Sequence, residues 1–288
     1  MSLTPSYILD CLQRDVIFLT GKGGVGKSTI AWATAQACAE LGKKVAVASW
    51  NPLETKAQHF PPEFEPVLEP HLRWIPLEVG ECFKEYVSRI LKFETLYHVV
   101  FENHVLQTFI RATPGIAETV LAGKIWDLWH QKAQDLLIVD LPSSGHALSF
   151  FQSPLGVHKI FAAGFVHQES EKIMKLFQSS KIRVDLVALP EELPLVEAKE
   201  LKRKLEQTFP LHFGFLQINQ CTPNFQEPDV IPEAAQSTIN RHHERLLSER
   251  EALAVATEID LPLVKIPRFA TSRSQATRQS VKEALEKA

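Results

Sequence analysis

The stretch GKGGVGKST, Gly21 to Thr29, gathers residue types that suit the holding of an anion. It fits the phosphate-loop pattern G-x-x-x-x-G-K-[ST] from Gly21 to Ser28. Gly21, Gly23, Gly24 and Gly26 let backbone N–H groups, that of Val25 among them, curl around a phosphate without Cβ clashes. Lys27 can reach the β- and γ-phosphates of a nucleotide, and Ser28 offers a hydroxyl to Mg²⁺. A helix opening at Ser28 and Thr29 turns its positive end toward the same phosphates. A carboxylate that ends an apolar strand nearby, Asp140 in DLLIVDLP, suits the same cation. Lys22 is surplus to this scheme, since one lysine suffices for a terminal phosphate. A solvated loop lysine is the plain reading.

The elements that must position these residues alternate in type. DVIFLT, Asp15 to Thr20, is a short apolar run ending at glycine and predicts a buried strand entering the loop. STIAWATAQACAELG has helical apolar spacing with a stop at Gly42, and KVAVAS, Lys44 to Ser49, predicts a second strand. Strand, loop, helix and strand make a βαβ unit, which implies a parallel sheet. Further strands are expected in DLLIVDLP, RVDLVALP, GFLQINQ and LPLVKIP, with helical stretches between them. The fold class that follows is α/β, a doubly wound and mostly parallel sheet. Phe60 to Pro76, with five prolines, reads as an extended connection. It leads into a helical insertion, about 78–132, broken at Pro114 and Gly115. The rest of residues 1–288 is expected to be a single domain around the loop.

Charge and cysteine usage narrow the classes of function. A net charge of −3 argues against a broad nucleic-acid surface. Cys11, Cys38, Cys82 and Cys221 are scattered without a CxxC pair, which disfavours a disulfide framework or structural zinc. The N-terminus lacks the basic flank and apolar run of a secretion signal, and no run approaches about 18 apolar residues. A cytoplasmic protein without stable membrane insertion is therefore expected.

With Lys22 included, G-K-G-G-V-G-K-[ST] resembles the deviant Walker A signature. VDLPSSGHALSF (Val139 to Phe150) is similar to the DTAPTGHTLR switch II motif of the ArsA and tail-anchored-protein targeting ATPases. ALPEELPLVEAKEL resembles that family's T-x-P-E-E-x-x-x-x-E segment, LQINQC its asparagine-bearing strand end, and ATPGIAE its PPGIDE segment. The resemblance runs in order over most of the chain and points to a divergent member. It implies an ATP- and Mg²⁺-dependent dimer, formed with itself or with a related ATPase, that switches a protein partner. Lys22 would then reach the partner's nucleotide, and Asp140 would hold Mg²⁺ through water. Gly145 would approach the γ-phosphate, Asn219 would read adenine, and Pro267 would wall it.

Two departures from the family pattern stand out. VAVASWNPLETK places Asn51-Pro52 where the family has Asp-Pro, the orienter of the attacking water. An amide orients water but accepts no proton at neutral pH. Either hydrolysis is slow or lost, or a neighbour such as Glu54 substitutes. The lost case is a pseudo-ATPase scaffold that binds ATP and pairs with an active relative. The second departure is the short stretch between Gly145 and Arg183, where targeting ATPases carry a long client-binding insertion. A client helix at 78–132 remains an expectation, against the plainer one that this stripe packs on its own domain.

Overall fold

The computed structural model describes residues 6–50, 71–90, 115–224, 233–269 and 274–288. Seven strands form one sheet: β1 (Val16–Gly21), β2 (Val45–Trp50), β3 (Leu72–Leu77), β4 (Leu136–Ser143), β5 (Ile182–Ala188), β6 (Phe213–Cys221) and β7 (Leu263–Pro267). Their spatial order is β3-β2-β4-β1-β5-β6-β7, and every pairing is parallel. The sheet is the P-loop α/β fold that the alternating elements implied. β1 sits in the middle, buried on both faces along its whole length. Its side chains alternate as a pleat requires: Val16 and Phe18 enter one apolar core, Ile17 and Leu19 the other.

Among the described residues, helices cover both faces. α1 (Tyr7–Cys11), α2 (Lys27–Glu40) and α9 (Ser274–Glu286) pack on one side. α4 (Ile116–His130), α5 (Ser144–Ile160), α6 (Phe165–Phe177), α7 (Glu192–Thr208) and α8 (Glu233–Thr257) pack on the other, with α3 (Val79–Ile90) beside α4. α2 stops near Gly42, whose left-handed backbone (φ 87°) suits the residue that ends a helix. α5 is seated by an aromatic cluster in which Phe18 meets Phe151 at 5.2 Å, Phe150 at 5.8 Å and Phe177 at 5.9 Å. That cluster fixes where the first turn of α5 lies relative to β1.

β3 makes the end of the stretch read as an extended connection up to Pro76 a strand of the sheet. It pairs with β2 through Leu77, and it tolerates Pro76 because an edge strand has one side on which no ladder bond is required. Of the expected helical insertion, α3 and α4 are described, and the segment between them lies outside the described residues. Val120, Leu121, Ile125 and Leu128 of α4 belong to the main core.

β6 carries one residue more than β5 between Val184↔Phe213 and Leu186↔Leu216, a bulge at Gly214–Phe215. The amide of Phe215 is satisfied there by a carboxylate, donating to Asp185 Oδ1 at 3.0 Å. Asp185 is fully buried and accepts a bond from Arg183 Nη2 at 2.9 Å, while Arg183 also pairs with Asp10. The guanidinium lies against the edge-to-face pair of Tyr7 and Phe215, 5.1 and 4.8 Å from their centroids. A Cβ on Gly214 would come within 2.4 Å of Asp185 Oδ1, so only glycine fits beside this pair. The bulge sets the phase of β6 and sends Asn219 toward the loop after β1. Asp185→Ala would leave the buried Arg183 charge short of a partner. We expect it to destabilise the protein by about 3 kcal/mol, read as a lower urea midpoint.

Candidate functional site

The loop from Gly21 to Gly26 leaves β1 at its C-terminal end, where ligands collect on open parallel sheets. Backbone proximity shapes it. A Cβ on Gly21 would lie 2.1 Å from Val187 O of β5, and one on Gly26 would lie 2.3 Å from Asn219 Nδ2 of β6. Gly24 and Gly26 also adopt positive φ, 81° and 92°, which L side chains avoid. Gly26 caps α2 with no side-chain acceptor, and the first turn of the helix contains no acid. The N-terminal amides of α2 and its dipole are therefore left for an anion.

Lys27 is buried over this loop and donates to Gly21 O at 3.2 Å and Lys22 O at 3.0 Å. Burial lowers the pKa of its ammonium, and Asp140 opposes that effect. Ser28 donates through Oγ to Asp140 Oδ2 at 2.5 Å, joining the start of α2 to the middle of β4. Burial pushes Asp140 up to about 6, against the bond from Ser28 and the charge of Lys27. A hydroxyl and a carboxylate are hard oxygen donors, and Mg²⁺ characteristically takes one or two protein oxygens beside those of a phosphate. Ser28 and Asp140 fit that cation. Among the described residues, no group of three or more His, Cys, Asp or Glu forms a closed metal cage.

The remaining expected positions are distributed around the loop. Asn219 donates to Val25 O at 2.8 Å and accepts the amide of Gln220 at 3.0 Å, so its side chain braces the loop. Lys22 points to its own chain: Nζ lies 2.9 Å from Glu197 Oε1 of α7, both side chains being about one-third exposed. Gly145 sits in the first turn of α5 with open space at its Cα. Pro267 closes β7 opposite Cys221, and Thr29 follows Ser28 in α2. Asn51, Pro52 and Glu54 lie outside the described residues. A cavity of about 440 Å³ opens at the same ends of β5, β6 and β7, lined by Pro190, Gln220, Arg245 and Arg268.

Two residues of this site carry no role in the sequence reading. Glu197 is the last glutamate of the PEELPLVE segment, so its signal was present, but only the fold brings it to Lys22. Trp50 was legible only as the residue before Asn51. It is buried at the end of β2, with its ring edge-on to His146 at 5.7 Å.

Residues 14–212 match the family of anion-transporting ATPases, more than half of the chain. The chain belongs to that family. Relatives in the anion-transporting ATPase family are similar at modest identity, which marks this member as divergent. The ATPase BagA of Mycobacterium tuberculosis is 27% identical over 237 residues, covering 77% of this chain and 69% of that protein. A putative arsenical pump-driving ATPase 1 of Aquifex aeolicus is 30% identical over 187 residues, 62% of this chain and 47% of its own length. An ATPase ASNA1 homolog of Cryptosporidium parvum is 25% identical over 243 residues, 79% and 63% of the two chains. Among the described residues, no helix is long and apolar enough to cross a membrane.

The position of Asp140 gives stability a pH dependence. With its folded pKa raised, the group favours the fold below about pH 4, and that contribution is lost as pH rises through about 6. Asp140→Asn removes the buried charge. In the nucleotide-free protein we expect a gain of about 1–3 kcal/mol at pH 8 and none near pH 3, measured by urea unfolding at the two values.

Proposed function

We propose that the protein is an Mg²⁺- and ATP-dependent hydrolase that closes as a dimer around its nucleotide and switches a protein partner. The observation that carries this reading is the Ser28–Asp140 bond at the mouth of a loop already covered by Lys27. Anion, cation and nucleotide specificity can each be given to residues within this one constellation.

In this reading the amides of residues 21–26 and the start of α2 hold the phosphates, and Lys27 exchanges its two loop carbonyls for phosphate oxygens. Ser28 and Asp140 hold Mg²⁺, which neutralises charge on the β- and γ-phosphates when bound. Gly145, with room at its Cα, lets a backbone N–H approach the terminal phosphate. Asn219 keeps the loop in shape and offers its remaining N–H and lone pair to adenine, against Pro267. Asn51 orients water without taking its proton, so phosphoryl transfer is slow. Lys22 leaves Glu197 for the second nucleotide when two copies, or this chain and a relative, close together.

A second reading, a scaffold that binds ATP without turnover, is favoured by Asn51 alone. A role in moving arsenicals is not part of either reading. Cys11, Cys38 and Cys82 are buried and Cys221 is half-buried, and none is arranged with others as a soft-metal cluster among the described residues.

Phosphate release under steady state separates the readings. Turnover is expected to be slow, abolished by Lys27→Ala and raised at least about tenfold by Asn51→Asp. ATP binding without any release, in the wild type and in Asn51→Asp, would establish the scaffold. The latch has its own test. A partly exposed ion pair is worth about 0.2–1 kcal/mol. Glu197→Gln should therefore tighten dimerisation with a non-hydrolysable ATP analogue by up to about fivefold, measured by sedimentation. Weaker dimerisation in that variant would show that Glu197 positions Lys22 rather than restrains it.

A further inference from the structure

α1 and α2 meet through two pairs of side chains, one helical turn apart. Tyr7 and Cys11 are four residues apart on α1, as are Thr34 and Cys38 on α2, so each helix presents both on one face. Tyr7 Oη lies 3.2 Å from Thr34 Oγ1. One turn further on, the Cys38 thiol donates to the sulfur of Cys11. Both cysteines are fully buried. Two thiols that are distant in the sequence are thus a facing pair in the fold.

Cys11 has a second partner. Arg183 Nη2 donates to its sulfur at 3.1 Å, from the same guanidinium that pairs with Asp185 and Asp10. Burial alone raises a thiol, yet the bond from Cys38 and the charge of Arg183 bring Cys11 below the ordinary value. Cys38 is pushed well above it by its bond to Cys11 and by burial. The other two cysteines are set the opposite way from Cys11, burial pushing Cys82 up to about 12 and Cys221 up to about 11. One sulfur held ready to attack beside a second held protonated is what thiol oxidation followed by resolution requires. α1 is the shortest described helix, five residues long, and local opening of so short an element admits a small oxidant while the sheet stays folded.

We propose that Cys11 and Cys38 form a peroxide-reactive dithiol, with Cys11 as the attacking sulfur, Cys38 as the resolving one and Arg183 holding Cys11 in place. In the first step the Cys11 sulfur attacks hydrogen peroxide. An S–O bond forms, the O–O bond breaks, and the other oxygen leaves as water. In the second step the Cys38 sulfur attacks that of Cys11. An S–S bond replaces the S–O bond, and a second water leaves with the Cys38 proton. Each sulfur gives up one electron, and the peroxide takes both. The sulfurs close from hydrogen-bond contact to about 2.05 Å, which α1 supplies by a small shift. The bridge ties α1 to α2, and the chain between its ends contains β1 and the whole phosphate loop. Nothing in this chemistry depends on what that loop holds.

The test uses the whole folded chain, treated with hydrogen peroxide, then denatured with an alkylating reagent and mapped by mass spectrometry without reduction. A Cys11–Cys38 disulfide is expected, with loss of two thiols while Cys82 and Cys221 stay alkylated, and dithiothreitol should restore both. In Cys38→Ala, Cys11 should stop as a sulfenic acid that dimedone captures, and in Cys11→Ala, Cys38 should keep its thiol. Circular dichroism checks that each variant folds, and the wild-type map stands without them. The proposal is overturned if Cys82 or Cys221 is oxidised before the pair, if Cys11 and Cys38 are oxidised without being joined, or if the bridge forms only in urea. Survival of all four thiols in the folded protein, under peroxide that consumes those of the urea-unfolded chain, overturns it equally. Dimedone capture at Cys38 in Cys11→Ala would overturn the roles given to the two sulfurs.

Discussion

The loop after β1 lies so close to its neighbouring strands that two of its positions have no room for a side chain. Gly21 is pressed on the carbonyl of Val187 and Gly26 on the amide of Asn219, from β5 and β6 respectively. The loop is thus a layer laid directly on the ends of the sheet, with its curvature set by the strands beneath it. Everything else at the site follows from that contact. Lys27 can fold back to Gly21 O only because the loop is that tight, and Ser28 meets Asp140 because α2 starts where the loop is made to stop. The register of β5 and β6 is part of this constraint. A bulge at Gly214–Phe215, tied by Asp185 and Arg183, turns Asn219 toward Val25 rather than away from it.

The price of such a compact site is electrostatic. Lys27 and Asp140 are both withdrawn from water, and each is shifted toward its neutral form by that burial. Their mutual attraction offsets the effect only in part. In the proposed reading a phosphate with its cation supplies the charges that offset this burial. The Lys22–Glu197 pair is different in kind, being partly exposed and weak.

Much of this was legible in the sequence. The alternation of apolar runs and helical stretches implied a parallel α/β sheet, and six of the seven strands stand where apolar runs stop at glycine, proline or a polar residue. β3 was not legible, because HLRWIPL is short, holds a proline and alternates weakly, and only pairing with β2 makes it a strand. The loop residues and Asp140 could be named from local pattern, since phosphate chemistry demands those types at that spacing. The partners of Lys22 and Trp50 could not. Glu197 is 175 residues from Lys22 along the chain and His146 nearly a hundred from Trp50, so no local rule relates them. The buried Arg183 was invisible for the same reason: a charged residue in an apolar strand means little until Asp185, Asp10 and two aromatic rings close around it.

The value of about 6 at Asp140 has a thermochemical consequence. Near neutral pH an empty site of this kind carries a fraction of a proton on that carboxylate. In the proposed reading a cation settling there expels it into the medium. Loading the site is then also a small acid release, and the heat of binding contains the ionisation heat of whatever buffer takes up the proton. Two buffers of equal pH and different ionisation enthalpy would return two apparent enthalpies for one and the same association.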